Sequence, residues 1–436
     1  MHLTRRGLLQ STLAVGSAGA LTAYAGEPRR RPRVAVVYTM CNHRSHAHVI
    51  LENFLTPYLF NGKLTTPAVE VASLYADQIT PSKTNPDLTE TMVRQFKVPR
   101  FKTIGDALTL GGKDLAVDAV VSIGEHGEYP NSKLGVREYP RKRFFDEIVA
   151  VMRRSNRFVP IFNDKHLSYR WDWAREMYDT CVKHRIPFMA GSSVPLAQRR
   201  PVLELPANCV VEEAISIHGG PFESYDFHAI EVLQAFIEAR KGGETGISHV
   251  EYLPREALFR AAAQGRWSLE LARATLRVEF GDKIPDITQP IDKLEPFGIL
   301  ITYRDGTKGM VLKVGYSATR WHFACKLAGE RKPRVSSHYV GPWNNRCLFM
   351  ALSHAIQQFC VTRTAPYPVE RTLLATGALE AAVRSRAEGR RLETPHLAIR
   401  YEPRDFRALR EMGESWKILT EDVKQTQGFA ERPLRR

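Results

Sequence analysis

The sequence predicts an α/β protein: a doubly wound parallel sheet in the N-terminal half, followed by an α/β domain with an open, mostly antiparallel sheet and helices on one face. Three observations carry this. Between residues 33 and 190, β-branched apolar runs alternate with segments of helical apolar spacing, the pattern of parallel strands buried on both faces. After Gly191-Ser192-Ser193 the runs lengthen, alternate with period two and fold back at Asp305-Gly306. The chain also has 436 residues, more than one core usually supports.

In order, residues 34–38 are a buried strand and 47–60 a helix. Residues 69–74 are a strand, 87–96 a helix, and Thr103 to Asp106 a capping box opening a short helix. Residues 117–123 form a strand, 144–154 a helix, 159–163 a strand, 170–184 a helix and 187–190 a last strand. In the second half, 209–218 is a strand, 227–240 an amphipathic helix, 297–303 and 309–316 a hairpin, and 321–327 a strand. Residues 345–361 and 369–384 are helices, the first with Leu348, Leu352, Ile356 and Phe359 on one face. Residues 406–436 are polar and read as an extension. The resulting division is 1–32 signal and linker, 33–190 first domain, 191–403 second domain and 404–436 extension.

With 43% hydrophobic and 25% charged residues the composition is that of an ordinary globular protein. The formal charge of +15 is spread over scattered pairs such as Arg153-Arg154 and Arg390-Arg391. No basic helix or zinc-finger spacing accompanies it, so no nucleic-acid partner is expected. The six cysteines have no C-x-x-C pair, which argues against a zinc site or a disulfide scaffold. Thr4-Arg5-Arg6-Gly7-Leu8-Leu9 fits a twin-arginine export signal, with a short apolar region ending in Ala23-Tyr24-Ala25. That region is too short to span a bilayer, so the expectation is a periplasmic or otherwise extracytoplasmic protein with no stable membrane anchor.

Candidate site residues gather at three strand ends. Tyr38, Thr39, Cys41, Asn42, His43 and Arg44 form the first strand-to-helix turn, which contains no glycine. Cys41, His43, His46 and His48 are dense in metal-type donors, but a helix starting near Ser45 splays them over different faces, so no metal site is expected. Glu125 and His126 follow the strand at 117–123, and Asp164, Lys165 and His166 follow the next. In a parallel sheet these ends point one way. In the second half, Ser224 begins a helix after Gly219-Gly220-Pro221, and Ser224, Tyr225, Asp226, His228 and Glu231 bring hydroxyl, imidazole and carboxylate groups together.

Taken together, Asp164-Lys165-His166, Ser224-Tyr225-Asp226-Phe227-His228 and the segment from Tyr367 to Leu374 resemble the glucose-fructose oxidoreductase/inositol dehydrogenase/MocA (Gfo/Idh/MocA) family. The first matches its Glu-Lys-Pro motif and the second its D-x-x-x-H motif. The resemblance implies a Rossmann-like nucleotide-binding domain and a substrate domain acting on a sugar or cyclic polyol with tightly bound NAD or NADP. It implies Lys165 and His228 at the reaction centre, with Asp226 or Glu231 as orienting carboxylate. It also implies Tyr38, Thr39, Cys41, Asn42, His43, Arg44, Asp77, Glu125 and Asp164 at the cofactor, and His126, His166, Ser224 and Tyr225 at the substrate. The family's aspartate and proline are replaced here by Ser224 and His166. The alternatives are an NAD-dependent glycoside hydrolase or lyase, and a non-catalytic carbohydrate-binding relative that has lost the cofactor. A homo-oligomer is the expected assembly.

Overall fold

The computed structural model describes residues 30–79, 82, 84–289, 295–314, 320–426 and 428–429. The export signal expected at Arg5-Arg6 lies outside them.

The first sheet is built as the apolar runs require. Strand β1 (Arg33–Tyr38) leads through a turn to helix α1 (His46–Leu55). A small hairpin follows, β2 (Tyr58–Phe60) with β3 (Lys63–Thr65), then β4 (Glu70–Ala76), α2 (Thr89–Phe96), β5 (Arg100–Phe101) and α3 (Ile104–Thr109). Next come β6 (Ala119–Ile123), α4 (Arg141–Arg154), β7 (Ile161–Asp164), α5 (Trp171–His184) and β8 (Phe188–Gly191). The six strands lie in the order β5-β4-β1-β6-β7-β8 with every pairing parallel. The order therefore reverses beside β1, and the crevice at the carboxyl ends of β1 and β6 is where such sheets bind ligands. Residues 47–60 do not make one helix as the spacing suggests. Pro57 disfavours helical backbone at Thr56, which sits at φ −128°, ψ 155°, and the chain turns into β2.

The second sheet has eight strands: β9 (Gln198–Arg200), β10 (Val211–His218), β11 (Ile247–Pro254), β12 (Phe297–Tyr303), β13 (Lys308–Lys313), β14 (Trp321–Leu327), β15 (Arg334–Tyr339) and β16 (Leu392–Glu393). Their order is β16-β11-β12-β13-β10-β14-β15-β9, antiparallel except for β10 with β13. Helices α6 (Ser224–Ile237), α9 (Asn345–Thr362) and α10 (Val369–Glu388) belong to the large core that both sheets share. The expectation of helices on one face is corrected by α7 (Arg255–Ala263) and α8 (Leu269–Phe280). On β10, Ile215 and Ile217 point into a separate core with Trp267, Leu271 and Leu276, while Ala214 points into the large one. Period-two alternation thus serves two buried faces rather than one wet face.

Two buried ion pairs tie the helices together. Arg346 of α9 pairs through Nη2 with Glu52 of α1, and Arg371 of α10 pairs through Nη2 with Glu238 at the end of α6. The extension after residue 404 packs back on the body. Its last described residues reach α1, where the Phe429 ring lies 4.9 Å from that of His48.

Candidate functional site

The carboxyl ends of β6 and β7 and the start of α6 meet in one buried cluster of charge. Lys165 is 3% exposed, and its Nζ lies 2.8 Å from Glu125 Oε1. Glu125 also accepts from Arg141 Nη2, and Arg141 Nη1 lies 3.1 Å from His166 Nε2. Arg141 begins α4 and reaches the cluster because Gly124 leaves room; a Cβ there would come within 2.6 Å of Arg141 Cγ. Glu223, from the Gly-Gly-Pro-Phe-Glu turn before α6, stands 3.5 Å from His166 Nε2. On the other side His46 Nδ1 lies 2.6 Å from Asp164 Oδ2, and the rings of His46 and His126 are 5.1 Å apart.

Burial and neighbouring charge set the protonation states. Burial pulls the Lys165 ammonium down, but Glu125 and Glu223 outweigh it and hold it above its ordinary value. Burial raises Glu125, and Lys165 and Arg141 more than reverse this, so it stays ionised. Glu223 is different: burial lifts it to about 7, with Lys165 only partly opposing. Burial and the charge of Arg141 hold His166 neutral, and burial with His46 brings His126 to about 4.

The backbone is unusual at the same places. His126 (φ 70°), Lys165 (φ 59°) and Glu223 (φ 72°, ψ −66°) all have positive φ without being glycine. Such conformations persist only where the surroundings impose them, and they concentrate at functional sites. Three polar atoms of the cluster, His126 Nε2, Asp164 Oδ1 and His166 Nδ1, are buried with no hydrogen-bond partner among the described residues.

Deeper along α6, His228 Nδ1 is 2.5 Å from Ser192 Oγ, and Glu231 accepts from the Ser192 amide (2.6 Å) and the Thr372 hydroxyl (2.7 Å). Burial and Lys165 hold His228 well below the usual imidazole range, so the ring is neutral. Burial lifts Glu231 to about 7. Gly191 (φ 130°) admits this carboxylate, whose oxygens would lie 2.8 and 2.9 Å from an added Cβ. Asp226, expected near the chemistry, instead bonds His218 (3.0 Å) and the Glu223 amide (2.8 Å), completing a capping box with Glu223. The cap of α6 is thus Glu223, and Ser224 is its first helical residue. Tyr225 stacks on Trp321 with ring centroids 5.4 Å apart.

The first turn is closed by the chain itself. The Cys41 amide donates to Asp87 (3.4 Å), that of Asn42 to Ser45 Oγ (3.2 Å), that of His43 to Asn85 (3.1 Å) and that of Arg44 to His48 Nδ1 (2.9 Å). Tyr38 and Cys41 are fully buried, with the Tyr38 hydroxyl on Thr89; the Thr39 hydroxyl donates to the Glu125 carbonyl. Asp77 accepts from Tyr75, Tyr129 and Arg143. The Arg44 side chain is held by Gln425, and Arg346 donates through Nη1 to the Thr426 carbonyl. A dinucleotide pyrophosphate needs free amides and no carboxylate at this turn. These residues do not fit it, because Asp87 and Asn85 take the amides of Cys41 and His43 and Asp87 sets a carboxylate against the turn. Among the described residues, no group of three or more His, Cys, Asp or Glu is placed to hold a metal ion, and no helix is long and apolar enough to cross a membrane.

The structure thus brings together Lys165, Glu125, Asp164, His126 and His166, with His228 and Glu231 beside them. It assigns Tyr38, Thr39, Cys41, Asn42, His43, Arg44 and Asp77 to contacts within the protein. Sequence reasoning missed Glu223, Arg141 and Ser192. Only Glu223 left a signal, being the first carboxylate after a Gly-Gly-Pro turn.

Neither protein-family models nor curated proteins give a match to the sequence. Solved structures do match. GenD2 from gentamicin A biosynthesis, in complex with NAD, is 13% identical with a TM-score of 0.53, over 89% of this chain and 99% of that one. A myo-inositol dehydrogenase from Lactobacillus casei, in complex with NAD(H) and myo-inositol, is 16% identical with a TM-score of 0.50, over 83% and 96%. Another from Corynebacterium glutamicum is 11% identical with a TM-score of 0.50, over 83% and 98%. The chain therefore has the fold of these dehydrogenases, and its resemblance to the Gfo/Idh/MocA family holds at the level of the fold.

Proposed function

We propose that this chain is an exported protein that binds a sugar or cyclic polyol at the Lys165–Glu223 cluster and exchanges protons with it, without a resident dinucleotide. The observation that carries this reading is the set of unpartnered buried atoms His126 Nε2, Asp164 Oδ1 and His166 Nδ1 beside Lys165. Buried polar groups are normally satisfied, and a polyhydroxylated ligand offers both donors and acceptors. Lys165 donates to a substrate oxygen. Glu223, poised near pH 7, gives or takes the proton. His228 is held by Ser192 through Nδ1 and stays neutral beside Lys165.

The test is calorimetric titration with inositols, hexoses and hexuronates. The wild type is expected to bind at least one saturably, and Lys165→Ala to weaken it at least tenfold. No binding, or unchanged affinity in Lys165→Ala and Glu223→Gln, overturns the reading. The second reading is an NAD(P)-dependent oxidation, favoured by Lys165 lying within electrostatic reach of His228 on a dehydrogenase-type fold. Nicotinamide nucleotide released on denaturation would select it.

A further inference from the structure

A cavity of about 320 Å³ lies at the opposite end of α6 from the cluster, between the last turn of that helix, β9 and residues 403–410. Four arginines line it: Arg199, Arg404, Arg407 and Arg410. Two of them are buried, Arg199 at 6% exposure and Arg410 at 2%. Both lean on a single carboxylate, Glu204, which Arg199 Nη1 meets at 3.2 Å and Arg410 meets through Nη2. Arg199 also donates to the Leu203 carbonyl (2.8 Å) and lies 3.9 Å over the Phe236 ring. The Nε–H groups of Arg199 and Arg410 are buried with no partner among the described residues.

The other carboxylates do not balance this charge. Glu238 is matched by Arg371 and also accepts from the Tyr401 hydroxyl, and Asp405 is held by Arg407 at the mouth. Arg404 donates to the Ala365 carbonyl and, among the described residues, faces no carboxylate in ion-pair range. Two buried cations thus share one exposed carboxylate, with a third cation at the rim. Burial and the neighbouring Arg410 pull Arg199 down to about 9. A guanidinium keeps its proton at neutral pH, so Arg199 stays a cation in a place that its burial, and then the like charge of Arg410, disfavour. Uncompensated buried charge is strongly unfavourable unless a counter-charge arrives.

We propose that this cavity is an oxyanion site, taking the phosphate, sulfate or carboxylate group of a small molecule between the planar forks of Arg199 and Arg410. Guanidinium forks match such groups two oxygens at a time. The volume is that of a small-ligand pocket rather than a lone ion, and Phe236, Phe406 and Leu205 supply an apolar wall for an organic body. The site is separate from the Lys165 cluster and does not depend on its proposed role.

The test titrates the full chain with sodium phosphate, sodium sulfate and sodium glucuronate against sodium chloride at equal ionic strength. Saturable binding of at least one oxyanion, with none for chloride, is expected. Arg410→Lys, which keeps the charge and loses the fork, should weaken it several-fold. Glu204→Gln removes the competing carboxylate and should tighten binding roughly tenfold. A purely structural triad gives the opposite: a less stable Glu204→Gln variant with no gain in affinity. Tighter binding of glucuronate than of inorganic ions identifies an organic anion as the ligand, and the reverse identifies a free ion; both support the site. No saturation by any of the three, or no tightening in Glu204→Gln, overturns it.

Discussion

Replacing Glu223 by Gln separates the electrostatics of the cluster from its packing. In the folded protein burial lifts this carboxyl from its ordinary 4.5 to about 7. The side chain is 14% exposed, so solvent screens it little. The sign follows from proton binding. Between about pH 4.5 and 7 the folded state holds a proton that the unfolded state has released, so stability falls as pH rises through this window and levels off above it. At 1.36 kcal/mol per unit, the shift corresponds to about 3 kcal/mol of lost stability by pH 8. Gln keeps a carbonyl for the cap of α6 but cannot ionise. Glu223→Gln should therefore match the wild type at pH 4.5 and exceed it by about 2–3 kcal/mol at pH 8.5. Glu231, also lifted to about 7, leaves its own share of the slope in both proteins. Urea denaturation at the two pH values measures the difference. An equal offset at both would refute the buried, proton-bearing Glu223 on which the proposed chemistry rests.

Other expectations follow from single contacts. Arg346→Met removes the guanidinium paired with the buried Glu52, which should cost about 3–5 kcal/mol in denaturant unfolding. Gly124→Ala places a Cβ 2.6 Å from Arg141 Cγ; displacing Arg141 from Glu125 should cost about 1–3 kcal/mol and weaken sugar or polyol binding. Lysine at both Arg5 and Arg6 should leave the protein in the cytoplasmic fraction of an expressing cell, whereas the wild type should be found outside the cytoplasm.

Much of the fold was legible because the strands announce themselves. Residues 34–38 and 117–123 are apolar runs that can only be buried on both faces, and the Asp305-Gly306 turn fixes β12 against β13. The convergence of Glu125 with Lys165 was legible too, since parallel strands put their carboxyl ends on one edge. What stayed hidden depended on distance or on conformation. Arg141 enters the cluster from the start of a helix 16 residues beyond Glu125, with nothing in its neighbours to mark it. Glu223 matters through a positive φ that the Gly-Gly-Pro turn permits but does not specify. The closing of the first turn rests on Asn85 and Asp87, more than forty residues beyond the amides they accept. Its tail contacts come from Gln425, 381 residues away from Arg44.

The most direct test of the central claim is a pair of titrations on the purified full chain: NAD+ and NADP+ in one, inositols, hexoses and hexuronates in the other. Saturable binding of at least one polyhydroxylated compound, lost in Lys165→Ala, with no binding of either dinucleotide, is the predicted result. Tight binding of NAD+ or NADP+ to a turn whose amides are held by Asp87 and Asn85 would contradict the account.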